Sequence, residues 1–451
     1  MWDVGVNEPV LVAGGGLAGS EAAWQLAQAG IRVVMAEMRP VCPTPVHRSG
    51  QLAELVCSNS LRGDSPANAV GLLKREMAAL DSLIIRCARE AAVPAGGALA
   101  VDRDRFAQSV TDAISRHPRI VVERRELEEL PAGPAVLATG PLTSPALHRA
   151  LERLLGEGAL AFYDAIAPIV AADSLDMTRL FRDSRYGKGG SDHYLNAALD
   201  RSRYEAFVAA LLAAEKQPFK AFELEDIRYF EGCLPIEVMA ERGLDTLRFG
   251  PMKPVGLSDP ATGRRPYAVV QLRQDDLAAE HWNLVGFQTK LTAAEQGRVF
   301  RTIPGLEQAR FVRFGMIHRN TFLNAPSHLD PLLRLRRRND LRVAGQLTGV
   351  EGYVESAATG LLAARTLAAE LAGGSPQPPP PETACGGLIR HLSERSAHGF
   401  QPANISWGLI ATPPELAAVR SRRERRERHA ALAVGWIRDW AATLWGAARE
   451  S

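Results

Sequence analysis

The sequence predicts an α/β protein in which one domain is assembled from both ends of the chain and a second α/β domain is inserted into it. Two observations indicate the first domain: a strand–glycine–helix unit opens the chain, and another lies about 330 residues later. The insertion is indicated by the different mixture of helical and strand-like stretches between Asp173 and Gln308. A chain of 451 residues is long enough for two domains.

The first unit predicts a dinucleotide site. PVLVAG is a short β-branched strand, followed by the glycine turn Gly14–Gly19 and by the helical segment SEAAWQLAQAG, which ends at Gly30. IRVVMAE is a second strand and ends in Glu37, 23 residues after Gly14. Glycines in a GxGxxG turn let the backbone approach a pyrophosphate at a helix N-terminus, and the acid accepts from ribose hydroxyls. The alternative is a purely structural glycine turn.

The second unit favours FAD over NAD. It starts as a strand at Leu341–Ala344 and passes through Gly345, Gly349 and Gly352 into a long helix of small residues. NAD-binding domains usually need no such return, whereas many FAD proteins place the N-terminus of this helix against the flavin. The expected fold is therefore a discontinuous, Rossmann-like FAD-binding domain of the glutathione-reductase type; the alternative is an ordinary βα unit.

The domain organisation follows from these patterns and from a proline run, GGSPQPPPPE. We expect the first part of the FAD-binding domain at 1–172, the inserted substrate domain at 173–309, the second part at 310–372, a proline-rich linker at 373–382, and a basic, partly helical segment at 383–451.

Composition excludes several classes of protein. The five cysteines are odd in number and contain no CxxC pair, so neither a disulfide framework nor a zinc site is expected, and no metal is predicted. No signal pattern and no apolar run of about 18 residues is present, which predicts a soluble, cytoplasmic protein. The net charge of +2 is uninformative about polyanionic partners. Two basic clusters, Arg334–Arg338 and Arg420–His429, are either solvated helix faces or RNA contacts.

Two cysteines stand in turns, Cys57 in ELVCSNSLRG and Cys233 in FEGCLPIEVMA. Beside a flavin, such thiols suggest either thiol–disulfide redox, which normally uses a close pair, or thiolate addition to an electron-poor ring. Uracil C5 becomes nucleophilic only after a thiolate adds at C6, and a second group must then remove the C5 proton. The alternative for each is a buried apolar residue, which is the prediction for Cys42, Cys87 and Cys385.

The chain closely resembles the folate- and FAD-dependent tRNA (uracil-5-)-methyltransferase family, TrmFO, which is related to the GidA/MnmG family. The resemblance covers about residues 9 to 410. It is carried in order by GGGLAGSEAAWQLA, ELVCSNSLRG, FEGCLPIEVMA, RFGPMKPVGL, YAVVQLRQ, NLVGFQTKL, RFGMIHRNTFLNAP, VAGQLTGVEGYVES and ISWGLI. It implies transfer of a methylene group from 5,10-methylenetetrahydrofolate to C5 of the T-loop uracil at tRNA position 54, with reduction by NADPH or NADH through FAD.

The resemblance also implies roles for individual residues. Cys233 matches the proposed nucleophile toward uracil C6, and Cys57 matches the second active-site cysteine, the acid–base partner at C5. The cofactor-binding positions are Gly14, Gly15, Gly16, Leu17, Ala18, Gly19, Glu37, Gly345, Gln346, Gly349 and Gly352. The candidate folate, phosphate or tRNA contacts are His318, Arg319, Asn320, Tyr353, Lys253, Lys290 and Arg62. For this last set the alternatives are structural residues, solvated lysines and, for Arg62, a loop anchor.

Three functions are compatible with these residues. The first is the tRNA methyltransferase, acting on the T-arm with no obligate protein partner and away from membranes. The second is the same chemistry on ribosomal RNA. The third is a flavoprotein that oxidises NAD(P)H or binds RNA without alkylating it, although both cysteines in matching motifs speak against this.

Overall fold

A computed structural model describes residues 8–44, 46–156, 160–165, 167–187, 193–217, 234–394 and 400–444, with the backbone alone for 160–165, 187 and 317–321. The strands of these ranges are β1 (Val10–Ala13), β2 (Val33–Glu37), β3 (Ser60–Gly63), β4 (Ala92–Val93), β5 (Ala98–Val101), β6 (Ile120–Arg124), β7 (Ala135–Leu137), β8 (Leu160–Ala165), β9 (Ile169–Ala171), β10 (Leu180–Arg182), β11 (Tyr194–Leu199), β12 (Ala268–Gln274), β13 (His281–Leu284), β14 (Phe311–Arg313), β15 (Ile317–Phe322), β16 (Arg334–Leu335) and β17 (Arg338–Val343).

The helices of the same ranges connect these strands and follow them at the C-terminal end. They are α1 (Leu17–Gln28), α2 (Ala69–Ala79), α3 (Leu83–Glu90), α4 (Arg103–Ser115), α5 (Pro145–Leu155), α6 (Arg201–Ala213), α7 (Ile236–Glu241), α8 (Thr246–Phe249), α9 (Ala293–Phe300), α10 (Ala325–His328), α11 (Tyr353–Leu371), α12 (Ala384–Ser393) and α13 (Arg422–Thr443).

The first sheet joins the two ends of the chain. Its six strands run in the order β16-β17-β7-β1-β2-β6, and every pair except β16–β17 is parallel. The strands β1 and β7 are short apolar runs buried almost throughout, as expected for parallel strands covered on both faces. Because β17 comes from the far end of the sequence and pairs with β7, the predicted discontinuous Rossmann-like fold is confirmed.

Helices α1 and α11 meet at very short range. A Cβ on Gly360 of α11 would lie 2.2 Å from the backbone oxygen of Ala18 in α1, and a Cβ on Gly345 would lie 2.9 Å from Ala18 Cβ. Only glycine allows two backbones to approach this closely. This contact brings the N-terminal ends of both helices to the same edge of the first sheet.

The second sheet is antiparallel and has its own core. Its order is β10-β11-β12-β13-β9-β14, and α6, α7, α8 and α9 contribute side chains to the hydrophobic cluster on it, including Phe207, Phe287 and Phe300. The sheet takes in Ile169–Ala171 and Phe311–Arg313, just outside the 173–309 expected for the insertion. The domain bounds themselves stay predictions.

Two smaller sheets complete the described fold. The order β3-β5-β4 forms a three-stranded sheet, and β15 pairs with β8 in antiparallel register, with His318 opposite Asp164. In the described ranges, no helix is both long enough and apolar enough to cross a membrane.

The C-terminal helices pack onto the first core instead of extending into solvent. Ala433 and Ile437 of α13 are buried, and Trp440 Nε1 donates to the Gln377 oxygen at 2.8 Å. His429 Nε2 lies 2.7 Å from the Glu382 oxygen. Side chains of α13 therefore hydrogen-bond to the backbone of the proline-rich segment that was predicted as a linker.

Glu76 of α2 holds the start of α12. Its two carboxylate oxygens accept from the backbone N–H groups of Ala384 (2.7 Å) and Cys385 (2.8 Å), and the side chain is fully buried. Burial raises the pKa of Glu76 to about 7, although the two backbone hydrogen bonds act in the opposite direction.

We expect this carboxyl to make the protein less stable as the pH rises from about 4.5 to about 7. Since the folded state binds the proton more tightly than the unfolded chain, its stabilising contribution is complete below pH 4.5 and lost through pH 7. The change is roughly 3 kcal/mol in the free energy of unfolding. Urea denaturation at pH 5 and pH 7.5 should show a smaller pH dependence in Glu76→Gln, whereas Glu90→Gln, at an exposed site, should match the wild type. An equal change in the free energy of unfolding between pH 5 and pH 7.5 in the wild type and in Glu76→Gln would contradict this.

Candidate active site

A deep cleft lies at the carboxyl ends of the parallel strands β1, β2, β7 and β17. The space between its walls, counted together with the solvent at its open mouth, is about 1080 Å³. Four of its lining residues lie at the ends of these strands. Ala13 and Glu37 are the last residues of β1 and β2, and Ala138 and Gly345 come just after β7 and β17. Ligands of open α/β sheets bind at this edge.

The glycine turn between β1 and α1 forms the floor of the cleft. Gly14 has a φ of +96°, and a Cβ there would lie 2.6 Å from the Ala138 oxygen. A Cβ on Gly19 would lie only 1.8 Å from the Gly14 oxygen, so Gly19 closes the turn against the helix. A Cβ on Gly16 would meet no atom within 4 Å, which leaves that backbone open to a ligand.

Helix α1 presents unsatisfied N–H groups to the cleft. Its N-cap, Gly16, provides no side-chain cap, and its first turn contains no acidic residue. The first N–H groups of a helix and its dipole favour a negatively charged group at this position. The residues present therefore fit the pyrophosphate of a dinucleotide.

Glu37 is already engaged by protein donors. Its Oε2 accepts from Gly15 N at 2.7 Å, and its Oε1 accepts from both the backbone N and the Nε of Arg39 at 2.9 Å. Burial acts to raise the pKa of Glu37, but Arg39 and these hydrogen bonds hold it below its usual value. One acceptor position remains on Oε2, so the predicted ribose contact stays a prediction.

The second glycine unit forms the opposite wall. Gly345 and Gln346 line the cleft, and Gly345 N donates to Thr359 Oγ1 at 2.8 Å. Gly349 and Gly352 have φ values of +87° and +101° and shape the turn that leads into α11. Their contact with the cofactor stays a prediction.

Two parts of the cleft were missed by sequence reasoning. The turn after β7, Thr139–Ser144, lines it, as does His47, whose Nδ1 lies 2.6 Å from Thr44 Oγ1. Burial and the charge of Arg39 lower the pKa of His47 to about 4, so the ring is neutral at neutral pH. The ATG sequence after a buried strand was a usable signal for the turn, but nothing in the sequence singles out His47.

The Cys57 loop is attached to the cleft by Tyr353. Tyr353 is the first residue of α11. Its hydroxyl accepts from Cys57 N at 2.8 Å and from Ser58 N at 3.2 Å. The tyrosine ring lines the cleft, as does Val56. The hydrogen bonds therefore place the Cys57 backbone next to the cleft wall.

Two arginines clamp the same loop from the other side. Arg103 donates to the Leu55 oxygen at 2.5 Å and to the Cys57 oxygen at 3.3 Å, and its Nε bonds Asp275 Oδ2 at 2.8 Å. Arg273 of β12 donates to Ser58 Oγ at 2.7 Å and to Asn59 Oδ1 at 2.9 Å. The loop that carries Cys57 is thus fixed by groups from α4, from α11 and from β12 of the second sheet.

The cysteines differ in their surroundings. Cys57 is half-buried and is within electrostatic range of the guanidinium groups of Arg103, Arg273 and Arg313. Cys87 is buried in the first core, where burial raises the pKa of its thiol to about 11. A loop cysteine among cations at a cleft is the arrangement that nucleophilic or acid–base chemistry requires.

The other predicted catalytic residue, Cys233, lies outside the described residues. The candidate ligands His318, Arg319 and Asn320 lie on β15, whose side chains are also outside the description. Of the predicted substrate residues that are described, Tyr353 is a lining residue of the cleft.

The remaining described candidates contact other protein groups, Arg62 through its side chain and Lys290 and Lys253 through their backbone. Arg62 forms an ion pair with the buried Glu355, as the loop-anchor alternative expects. Lys290 N donates to Glu237 Oε1 at 2.7 Å, and the Lys253 oxygen accepts from Arg185 at 2.6 Å. Their roles toward folate or tRNA stay predictions.

The cluster Arg334–Arg338 is not a solvated helix face, because it lies in the β16–β17 hairpin. Arg334 pairs with Asp330 and Glu370, and Arg338 pairs with Asp340, so much of its charge is neutralised locally. The C-terminal cluster does lie on a helix, α13, and includes the i,i+4 pairs Arg423–Glu427 and Arg428–Glu424.

Comparisons with known proteins agree with this architecture. The family model described as "Glucose inhibited division protein A" (GIDA) matches residues 9–375. A methylenetetrahydrofolate--tRNA-(uracil-5-)-methyltransferase TrmFO from Geobacter sulfurreducens is 55% identical over 96% of this chain and 99% of its own length. The TrmFO of Bacillus licheniformis is 53% identical over 97% of this chain and 100% of its own. The chain belongs to the TrmFO family.

The solved structure of Aquifex aeolicus GidA shows the same fold. It aligns with a TM-score of 0.67 at 15% identity, over 98% of this chain and 75% of that one. Membership of TrmFO and of the wider GidA family was predicted from the motifs and is confirmed. The fold, the glycine turn and the open helix N-terminus together fit FAD as the cofactor of the cleft.

Proposed function

We propose that this protein methylates C5 of uracil in tRNA with 5,10-methylenetetrahydrofolate as the one-carbon donor and NADPH or NADH as the reductant. The supporting observation is the clamped Cys57 loop at the wall of a dinucleotide cleft, in a chain of the TrmFO family. The overall balance is methylenetetrahydrofolate, uracil, NAD(P)H and one proton giving tetrahydrofolate, 5-methyluracil and NAD(P)⁺.

The cleft binds FAD through its glycine turn and the N-terminus of α1, with Glu37 toward a ribose. When bound, FAD supplies hydride transfer and carries the one-carbon unit. The protein's own contribution is to keep the Cys57 loop rigid. Tyr353, Arg103 and Arg273 hold three consecutive residues, 57 to 59, so the thiol needs little reorganisation when a ring arrives.

The two cysteines divide the chemistry of the uracil ring. The Cys233 thiolate adds to C6, and the electron pair moves to C5 and the O4 carbonyl, so that C5 attacks the one-carbon unit. Cys57 then accepts the C5 proton, and the electron pair left at C5 expels the carrier nitrogen from the one-carbon unit. Hydride that originates from NAD(P)H then converts this exocyclic methylene into a methyl group, and the bond from Cys233 to C6 breaks. The guanidinium groups around Cys57 favour negative charge in this region.

The target is the T-loop uracil at tRNA position 54, in the cytoplasm, without a protein partner. This uracil lies within a folded arm and must be extruded before its ring is accessible. RNA backbone contact requires basic surface, and the arginines of α13 are the better candidates because the Arg334–Arg338 cluster is largely paired.

The test is a reconstitution with purified protein, FAD, NADPH or NADH, isotopically labelled methylenetetrahydrofolate, and either tRNA or ribosomal RNA lacking 5-methyluridine. Nuclease digestion and mass spectrometry locate the label. The proposal predicts labelled 5-methyluridine at tRNA position 54. Label in ribosomal RNA alone would show that ribosomal RNA is the substrate instead of tRNA. NAD(P)H oxidation without incorporation of label would identify a non-methylating flavoprotein.

A further inference from the structure

Arg313, the last residue of β14, is a buried cation with an unused donor. Its side chain is 8% exposed, and its Nη2 atom is buried without a hydrogen-bond partner in the described part of the chain. Burial of an unsatisfied guanidinium costs free energy, and structures normally keep such a group only where something offsets the cost.

The surroundings of Arg313 place it near the Cys57 loop and near two residues that line the cleft. It is within electrostatic range of Cys57, Tyr353 and His47, and the last two line the cleft. Burial and the charges of Arg103 and Arg48 lower the pKa of Arg313 to about 10, so it keeps its charge at neutral pH.

The neighbouring arginines make the contrast clear. Arg103 is bound by Asp275 and by two backbone oxygens, and Arg273 by Ser58 and Asn59. Within the described ranges, no ion pair involves Arg313. Of the three guanidinium groups near Cys57, Arg313 is the one with a nitrogen that is buried without a hydrogen-bond partner among the described residues.

The strand that carries Arg313 is irregular just before this residue. Phe311 is paired with Val170 and Arg313 with Ile169, so the register shifts between them. Such irregularities re-aim side chains and are common next to active sites. Two residues later Gly315 is fixed on both backbone groups by Gln296, at 2.7 and 2.8 Å, which holds the end of the strand.

We propose that Arg313 is a ligand-binding residue whose Nη2–H donates to a carbonyl oxygen of a pyrimidine-2,4-dione ring bound beside Cys57. The inference rests on the proposed function, which brings two such rings to the cleft: the pyrimidine part of the flavin and the target uracil. Both gain negative charge on carbonyl oxygens during the reaction. A buried guanidinium stabilises that charge more than a solvated one does.

The test compares Arg313→Met with Arg310→Met in the FAD-loaded enzyme. Arg310 lies three residues earlier and pairs with Asp173 in solvent, so it is a matched control. Sulfite affinity reports the flavin, because sulfite addition places negative charge on the same pyrimidine ring. The rate of covalent trapping of T-arm RNA that carries 5-fluorouracil reports the target uracil.

If Arg313 binds the flavin, Arg313→Met should weaken sulfite binding at least tenfold. If it binds uracil, sulfite binding should stay at the wild-type level while trapping slows at least tenfold. Arg313→Lys, which keeps the charge, should restore part of the loss, and Arg310→Met should lose neither property. Wild-type sulfite affinity together with a wild-type trapping rate in Arg313→Met overturns the proposal.

Arg313→Gln guards against a folding defect, because it keeps an N–H donor without the charge. If Arg313→Met does not retain FAD, the same two readouts in Arg313→Gln decide, and wild-type values there overturn the proposal. Failure of the proposed function is distinguishable, since the wild-type enzyme would then form no 5-methyluridine at all.

Discussion

Replacement of Cys57 by alanine is expected to lower the rate of 5-methyluridine formation by a factor of about 10²–10⁴ while FAD stays bound. The reason is chemical: in the proposed mechanism Cys57 accepts the C5 proton, and alanine cannot. Its backbone N–H still donates to the Tyr353 hydroxyl, so the loop should keep its position. Single-turnover methylation of tRNA measures the loss, and the flavin absorbance measures cofactor content.

Cys87→Ala is the matched control because Cys87 is buried in the first core, away from the cleft lining. It should methylate at close to the wild-type rate. Since Cys57 is assigned to the proton and not to C6, Cys57→Ala should still form a covalent complex with 5-fluorouracil RNA. Methylation at the wild-type rate in Cys57→Ala would exclude the proposed role of Cys57. Loss of the covalent complex in this variant would indicate that Cys57, and not Cys233, adds to C6.

Gly19→Ala and Gly16→Ala are expected to fail in different ways. A Cβ on Gly19 would lie 1.8 Å from the Gly14 oxygen, a backbone atom that cannot move without opening the turn. We expect a loss of roughly 3 kcal/mol or more in the free energy of unfolding of the FAD-free protein. A Cβ on Gly16 meets nothing within 4 Å, so FAD-free Gly16→Ala should be about as stable as the wild type.

Gly16→Ala should nevertheless bind FAD more weakly, because the added methyl group occupies the space left for the pyrophosphate. Denaturant unfolding of both FAD-free variants and titration with FAD separate the two effects. Equal stability of Gly19→Ala and the wild type would contradict the close approach of α1 to the turn. Unchanged FAD affinity in Gly16→Ala would contradict the position assigned to the pyrophosphate.

The first sheet and its glycine turns were predictable because their signals are local. A strand, a GxGxxG turn, a helix and an acid within 30 residues determine β1, α1 and β2, and the same logic locates β17 and α11. The presence of both units in one sheet, although they lie more than 300 residues apart, followed from the pattern typical of FAD-binding domains. The strand β17 joins this sheet next to β7, and the parallel β17–β7 ladder confirms the fold.

The support of the Cys57 loop was not predictable, because its contacts link distant parts of the chain. Tyr353 is 296 residues from Cys57, and Arg273 is 215 residues from Ser58. An arginine in a strand carries no sequence signal for the oxygen to which it will donate. Tyr353 was selected as a candidate substrate contact, and the contact of its hydroxyl with the Cys57 loop was not foreseen.

Charge runs are poor guides for a similar reason. The run RLRRR predicts a cluster of positive charge. It gives no sign of Glu370, the acid that pairs with Arg334 in the folded protein. Folding brought that partner in through α11. Arg313 is the opposite case: it opens the motif RFGMIHRNTFLNAP without an assigned role, and its importance emerges only because burial leaves its Nη2 without a partner among the described residues.

The most direct test of the account uses T-arm RNA with 5-fluorouracil at position 54, methylenetetrahydrofolate, NADPH and the FAD-loaded enzyme. Fluorine cannot leave C5 as a proton does, so the account predicts a covalent protein–RNA complex in the wild type, resolved by denaturing electrophoresis and absent in Cys233→Ala. An enzyme that holds FAD and oxidises NADPH yet forms no complex would contradict uracil methylation by this protein.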